Sequence, residues 1–177
     1  MPLKACITGG IACGKSLLSF YLRELGVAVI DADDVAHEFL PDPAERRRIA
    51  REVFADPAKR KALEAELHPK IFAAIQAFHD RHRGQPAVAV IPLLFELGRE
   101  RDYDFVCTVA ATPEEQIKRL MSTRGYTREE ALARIDAQLP VAEKAAKSDM
   151  VIRNSGSKAD LAQAARTLAE RLGALSA

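Results

Sequence analysis

The segment that most constrains this chain is residues 9–16, which read Gly-Gly-Ile-Ala-Cys-Gly-Lys-Ser. This run satisfies the pattern G-x-x-x-x-G-K-[ST] at every fixed position. An apolar stretch precedes it at residues 3–8, and leucines at helical spacing follow it. The glycines let the main chain curl until successive N–H groups point inward, and the helix that follows adds the positive end of its dipole. This context favours a phosphate-binding loop over a glycine-rich turn that binds nothing.

In this interpretation the loop binds ATP. Lys15 reaches the β- and γ-phosphates, and the Ser16 hydroxyl is a ligand of Mg²⁺. Cys13 is either a small residue that fits the loop or a thiol whose pKa the same amides lower, which would make it oxidisable. The predicted ATP contacts of the loop are Gly10, Ile11, Ala12, Cys13, Gly14, Lys15, Ser16 and Leu17.

Strand and helix signals alternate along the chain and predict an α/β fold around a mainly parallel sheet of five strands. A long helical region between the second and third strands carries prolines that predict breaks. The last helix has an apolar stripe that predicts core packing. The predicted strands are 3–8, 27–30, 87–91, 105–110 and 150–152; the breaks are at Pro41, Pro43, Pro57 and Pro69 within 34–83; the stripe is Leu161, Ala165, Leu168 and Leu172.

Two aspartates, Asp31 and Asp33, follow the second strand. Ligands of open parallel sheets bind beyond the carboxyl ends of the strands, so both side chains are expected to face the phosphate loop, sharing a side if the chain stays extended. An acceptor hydroxyl needs a base near the γ-phosphate, and Asp33 is the candidate. The alternative is that Asp33 or Asp34 caps the following helix.

Basic residues crowd the second half of the chain, on a helical stretch interrupted by Gly125. Mobile arginines can neutralise the charge on a phosphoryl group in transfer, and Arg119 and Arg124 are the candidates here. The alternative is a solvated helix face with charge pairs. The run Arg46-Arg47-Arg48 is either a contact for an acidic substrate or solvent-exposed.

Composition restricts the partners. A formal net charge of +1, the absence of Trp and the few aromatics give no reason to expect a nucleic-acid partner. No apolar run is long enough for a membrane span, and the first residues do not have a signal-peptide layout. Three cysteines without metal-ligand spacing favour a reducing, cytoplasmic location. The sequence specifies neither an oligomeric state nor a choice between ATP and GTP.

Several segments together resemble the dephospho-coenzyme A kinase family. The loop with Thr8 before it resembles TGGIxSGK[ST], and residues 30–33 match IDAD. Residues 53–57 with 67–69 resemble VFxDP…LHP, and residues 92–96 match PLLFE. Further positions in the family's order are Gln116, Arg119, Arg124, Arg134, Gln138, Lys144, Asp149, Asn154 and Gly156. The similarity covers residues 3 to about 160, and the loop alone is its least specific part.

The resemblance implies a P-loop kinase that passes the γ-phosphoryl group of ATP to the ribose 3′-hydroxyl of dephospho-coenzyme A. It implies one domain with three parts, in which Asp33 is the base and Arg119, Asn154 and Gly156 lie near the nucleotide. It associates His68 and Leu94 with the acceptor, and Arg46 is a further candidate contact. The parts are a core of 1–33, 86–114 and 148–177, a helical acceptor part of 34–85 and a lid of 115–147.

The chain departs from the family pattern in three places. It is short between Leu40 and Arg46, where relatives carry a longer helical segment that borders the acceptor pocket. Cys13 stands at a loop position that is Ser or Gly in relatives, and no carboxylate directly precedes Pro92. Two other functions remain open. One is a different small-molecule or nucleotide kinase, and the other is a catalytically silent nucleotide-binding regulator.

Overall fold

The computed structural model describes residues 3–40 and 42–176 as an α/β fold around one five-stranded sheet. The strands run in the order β2-β3-β1-β4-β5, and every neighbouring pair is parallel. The strands are β1 (Ala5–Gly9), β2 (Ala28–Asp31), β3 (Ala87–Val90), β4 (Phe105–Ala110) and β5 (Met150–Arg153). Each predicted strand is present, displaced by no more than two residues at an end.

Eight α-helices and one short 3₁₀ helix lie in the described part of the chain. The α-helices are α1 (Lys15–Glu24), α2 (Ala32–Phe39), α3 (Pro43–Ala55), α4 (Pro57–Arg81), α5 (Pro113–Arg124), α6 (Arg128–Asp136), α7 (Val141–Ala146) and α8 (Lys158–Ser176). The 3₁₀ helix is Glu100–Asp102. None of the helices in residues 3–40 and 42–176 combines the length and apolarity needed to cross a membrane.

The predicted proline breaks differ in outcome. Pro43 and Pro57 begin α3 and α4, where a proline lacks only an N–H that has no helical partner, and Asp42 and Asp56 cap these helices. The break at Pro69 is wrong, because α4 continues through it. The buried face of α4 packs against the sheet side of the core through Ile71 and Ile75, which offsets the lost hydrogen bond. Pro41 lies outside the described residues.

The core has a layer on each face of the sheet. On one face, alternate β1 and β4 side chains pack with α1 and with the apolar stripe of α8, whose four predicted members are all buried. On the other face, Val35 of α2 and Ile71 and Ile75 of α4 pack with Leu94 and Phe95. A smaller cluster of Ile117, Leu120 and Ala131 joins α5 to α6. The phosphate loop lies at the carboxyl edge of the sheet between these layers.

The segment predicted as the lid, 115–147, is divided into helices that pack differently. Helix α5 starts at Pro113, with Thr112 and Glu115 forming a reciprocal cap, and buries Ile117 and Leu120. Helix α6 packs on α5, whereas α7 packs on β4 and β1. The linker between α6 and α7 therefore joins a helix lying on α5 to one seated on the central sheet.

Candidate active site

The phosphate loop leaves the carboxyl end of β1 and enters α1 in a conformation that glycine makes accessible. Gly14 has a φ of 101°, and a Cβ there would collide with the Asn154 side-chain nitrogen. Ala12, at φ 57°, is the residue other than glycine with a positive φ in the described chain. No side chain caps α1, and its first turn has no acidic residue. The positive end of this helix is therefore left for an anion.

Lys15 lies inside the loop. Its Nζ donates to the main-chain oxygens of Gly9 at 3.1 Å and Gly10 at 2.8 Å. Burial lowers the pKa of Lys15, while the carboxylates of Asp33 and Asp31 act in the opposite direction. These two aspartates are thus close enough to Lys15 to influence its charge, as the expectation of one shared crevice requires.

Asp31 and Asp33 are arranged differently from the extended-chain expectation. The strand ends at Asp31 and α2 begins at Ala32, so the chain turns between the two aspartates. Asp31 caps α2, since its Oδ1 accepts the main-chain N–H of Asp33 at 2.8 Å. The alternative of a cap by Asp33 or Asp34 is therefore wrong. The Asp33 carboxylate is exposed and does not cap the helix.

The half-buried Asp31 has a carboxyl whose pKa is raised. Burial is the largest cause, and the negative charges of Asp33 and Asp34 add to it. The N–H of Asp33 and the charge of Lys15 oppose the increase. Asp31 therefore serves as a structural cap beside the exposed carboxylate of Asp33.

The environment of the Cys13 thiol disfavours its thiolate form. Its side chain is fully buried, and burial raises its pKa more than Lys15 and the hydrogen-bonding amides lower it. The hypothesis of an oxidisable thiolate is therefore wrong, and Cys13 is a small residue packed in the core cluster beside β1. Its predicted contact with ATP would run through its main chain.

Four side chains hold the main chain of the loop from the second half of the molecule. Ile11 is held twice, because its N–H donates to Gln138 Oε1 at 2.8 Å and its oxygen accepts from Gln116 Nε2 at 2.8 Å. Arg119 donates to Ala12 O at 3.1 Å and also to the main-chain oxygen of Asn154. Asn154 Nδ2 donates to Cys13 O at 2.9 Å. Arg119 and Asn154 thus lie at the loop, and their predicted proximity to the nucleotide stays a prediction.

Gln116 and Gln138 were not among the predicted site residues. Neither belongs to a local motif, and each reaches the loop only because α5 and the α6–α7 linker fold back over it. Their positions in the family order were the single signal in the sequence. Glu96 and Lys144 were also not predicted as site residues. They form an ion pair of 2.7 Å, in which Lys144 is fully buried.

The other predicted site residues in the second half of the chain lie at the surface. Arg124 is exposed at the last position of α5, and Gly156 is exposed in the loop before α8. Arg128 pairs with Glu114 at 2.7 Å, and the Arg134 guanidinium stacks over Tyr126 at 3.9 Å. Arg128 and Arg134 thus fit the solvated-face alternative.

The predicted acceptor residues are spread over three elements. Arg46 of α3 donates to Leu40 O at 2.8 Å, and His68 of α4 lies half-buried beside Phe72. Leu94 is fully buried in the core layer under α4. A direct contact between its side chain and a substrate does not fit this burial. Arg48 pairs with Glu45 and Glu52 at the surface.

The donor set of the site fits a magnesium ion. Ser16, in the first turn of α1, has an exposed side chain next to Lys15. Residues 3–40 and 42–176 contain no cluster of three or more His, Cys, Asp or Glu side chains that could enclose a metal. Magnesium keeps several waters and takes one or two protein ligands beside phosphate oxygens, so a hydroxyl with nearby carboxylates suffices.

The family model for dephospho-CoA kinase matches residues 4–45 and 41–160. The chain belongs to the dephospho-CoA kinase family. The two matched stretches meet at residues 41–45, where the chain is short relative to the family pattern. This match spans the phosphate loop, both aspartates and all four side chains that hold the loop.

Individual relatives agree with the family assignment. A dephospho-CoA kinase from Symbiobacterium thermophilum is 42% identical over 175 residues, covering 85% of this chain and 73% of the relative. A crystal structure of a Thermus thermophilus protein is 37% identical, with a TM-score of 0.81 and coverage of 97% of this chain and 98% of the other. A dephospho-CoA kinase structure from Campylobacter jejuni is 28% identical, with a TM-score of 0.72 and coverage of 98% of each chain.

Membership in the dephospho-CoA kinase family establishes the class of chemistry. Enzymes of this family transfer a phosphoryl group to an alcohol, so the P-loop of this chain is that of an ATP-using kinase with a small-molecule acceptor. The α/β fold with a parallel sheet, predicted from the strand and helix pattern, and the P-loop kinase fold, implied by the family resemblance, are confirmed.

Proposed function

We propose that this chain transfers the γ-phosphoryl group of ATP to the ribose 3′-hydroxyl of dephospho-coenzyme A, giving coenzyme A and ADP. The observation that carries the proposal is the proximity of Lys15 and Asp33. A cation inside a phosphate loop lies within electrostatic range of a carboxylate that caps no helix. Family membership identifies dephospho-coenzyme A as the acceptor. The phosphate loop, Lys15 and Asp33 are the groups expected to carry out the transfer.

ATP binds through the loop and its surroundings. Main-chain amides of the loop and the uncapped start of α1 surround the phosphates, and Lys15 exchanges its bonds with Gly9 and Gly10 oxygens for phosphate oxygens. Arg119, Asn154 and Gly156 border the nucleotide. Ser16 would hold a magnesium ion beside the phosphates, and the ion would supply positive charge against the β- and γ-phosphates.

Asp33 orients the acceptor hydroxyl and accepts its proton as the oxygen attacks the γ-phosphorus. Its main chain is fixed by the hydrogen bond to Asp31, which leaves the carboxylate free to reach the acceptor. Lys15 balances the charge that spreads over the transferred oxygens, and Arg124 approaches the same oxygens when the lid segment closes. Closure also excludes water, which would otherwise compete with the acceptor hydroxyl.

The helical part between β2 and β3 binds the acceptor. Arg46 and His68 are its candidate polar contacts, one on α3 and one on α4, and Leu94 supports them from the core. The reaction takes place in the cytoplasm, in agreement with three buried cysteines that form no disulfide.

Coupled release of ADP by the purified protein tests the proposal. Dephospho-coenzyme A is offered beside a panel of nucleoside monophosphates and sugars, and only the first is expected to support turnover. Turnover with another acceptor and none with dephospho-coenzyme A would indicate a different kinase on this scaffold. Tight ATP binding without transfer to any acceptor would indicate the silent regulator.

A further inference from the structure

The Ile11 peptide is the part of the phosphate loop most strongly tied to the second half of the chain. One glutamine from α5 and one from the α6–α7 linker bond the two sides of this residue, each at 2.8 Å. The neighbouring Gly10 is packed so closely that a Cβ would lie 2.5 Å from a Val141 methyl and 2.6 Å from Gln116 Nε2. The conformation of the loop at Ile11 therefore depends on where the linker sits.

The linker is fixed in turn by Glu96. Its Oε1 accepts the main-chain N–H of Leu139 at 2.9 Å, directly after Gln138, and also pairs with Lys144 Nζ at 2.7 Å. Lys144 further donates to Pro92 O at 2.9 Å, and the same oxygen accepts the Thr8 hydroxyl at 3.2 Å. The linker is thus bonded to the turn after β3 by a carboxylate and a buried ammonium.

These bonds are strong enough to define one arrangement of the linker. Lys144 is fully buried, so its ammonium would be left without compensation if the Glu96 carboxylate moved away. Charge-assisted hydrogen bonds are also about twice as strong as neutral ones. Displacement of the linker is therefore costly at Leu139, which holds the adjacent Gln138 in reach of Ile11.

We propose that Gln138 is a positioning residue that sets the phosphate loop for ATP, and that Glu96 with Lys144 holds Gln138 in place. This deepens the proposed function, since it assigns residues outside the predicted site to ATP binding. Gln138 acts through the Ile11 N–H, without touching the reacting atoms. Glu96 acts one step further away, from the turn that also supports the acceptor side.

Gln138→Met tests the first part, because methionine has a similar length and no comparable hydrogen-bond acceptor. Loss of a neutral hydrogen bond of about 1 kcal/mol corresponds to roughly fivefold weaker ATP binding. Calorimetry should show this loss with Mg-ATP, while the KM of the acceptor changes by less than about twofold. Gln163→Met, at an exposed position of α8, is the matched control and should leave ATP affinity unchanged.

Hydrogen exchange of the Ile11 amide separates positioning from a general loss of stability. Gln138→Met should accelerate exchange at Ile11, with core amides such as that of Ile7 unchanged. Gln138→Glu retains an acceptor oxygen and should restore slow exchange, although its charge would make ATP binding more dependent on salt. Wild-type exchange at Ile11 together with wild-type ATP affinity in Gln138→Met would overturn the proposal.

A double-mutant cycle tests the second part. Glu96→Gln keeps an acceptor for Leu139 but removes the charge opposite Lys144, so it should weaken ATP binding and accelerate Ile11 exchange. Because Glu96 acts through Gln138, the effect of Glu96→Gln on ATP affinity should largely disappear in the Gln138→Met background. Fully additive effects would show that Glu96 does not act through Gln138. Both binding and exchange are measured without dephospho-coenzyme A, so an error in the proposed acceptor would leave this test intact.

Discussion

The Asp33 main-chain N–H donates to the Asp31 carboxylate at 2.8 Å, which gives two aspartates in one IDAD segment different tasks. The Asp31 side chain caps α2 at the end of β2. Asp33 is held through its backbone, and its side chain remains exposed. A turn of the chain between them, rather than an extended strand, produces this division.

Asp33→Asn should leave ATP affinity nearly intact and lower turnover by about 10²-fold or more, because the amide cannot accept the acceptor proton. Steady-state ADP release and calorimetry with Mg-ATP measure the two effects. Asp34→Asn, one residue further on and also exposed, is the matched control and should retain turnover. Unchanged turnover in Asp33→Asn would remove Asp33 from the role of base.

Lys15→Ala should weaken both ATP binding and turnover, since its ammonium is expected to contact phosphates in the ground state and during transfer. We expect turnover to fall by about 10²-fold or more. Lys118→Ala, on the exposed side of α5, controls for the loss of one positive charge. Normal kinetics in Lys15→Ala would contradict the assignment of the loop.

Gly14→Ala and Gly26→Ala separate backbone strain from collision. Both glycines have a positive φ, of 101° and 81°, so either alanine should cost about 1 kcal/mol of folding stability. A Cβ at Gly14 would also collide with Asn154, whereas none of the described atoms lies within 4 Å of one at Gly26. Only Gly14→Ala should therefore weaken ATP binding, because Asn154 would have to leave its bond to Cys13 O. Calorimetry and denaturant unfolding of both variants provide the comparison, and equal ATP affinities would show that Asn154 yields.

His79 should make the protein less stable in mild acid. Burial lowers its pKa from 6.5 to about 4, with Lys4 and His82 acting in the same direction and Asp80 and Asp104 opposing them. Between pH 6.5 and 4 this histidine is therefore protonated in the unfolded chain and neutral in the folded chain. The free energy of unfolding should fall by about 3 kcal/mol from this group between pH 6.5 and 4, with no further loss below that range.

Urea unfolding of wild type and His79→Phe across pH 4 to 7 measures this contribution. The phenylalanine variant should lose this part of the pH dependence, whereas His37→Gln, at an exposed position, should retain it. Identical pH profiles for wild type and His79→Phe would show that His79 is not the titrating group.

Most of the architecture could be predicted because its signals are local. The apolar stretches gave all five strands to within two residues, and the α8 stripe is buried as the pattern requires. Pro69 was misjudged because the local cost of proline was weighed without the burial of α4 against the sheet, which only the assembled fold provides.

The residues of the loop itself determined its conformation and chemistry, since glycine at positive φ, the lysine and the helix start act over a few bonds. The tertiary structure alone decided which partners hold that loop. Gln116, Gln138, Glu96 and Lys144 lie between 81 and 129 residues from Lys15, the start of α1, and meet at or near the loop only in the folded chain. Hydrogen bonds between residues so distant depend on the three-dimensional packing, and no spacing within the sequence encodes them. The pKa of the Cys13 thiol also depends on the tertiary structure. Its sequence neighbours predict a lowered pKa, and burial in the folded core raises it instead.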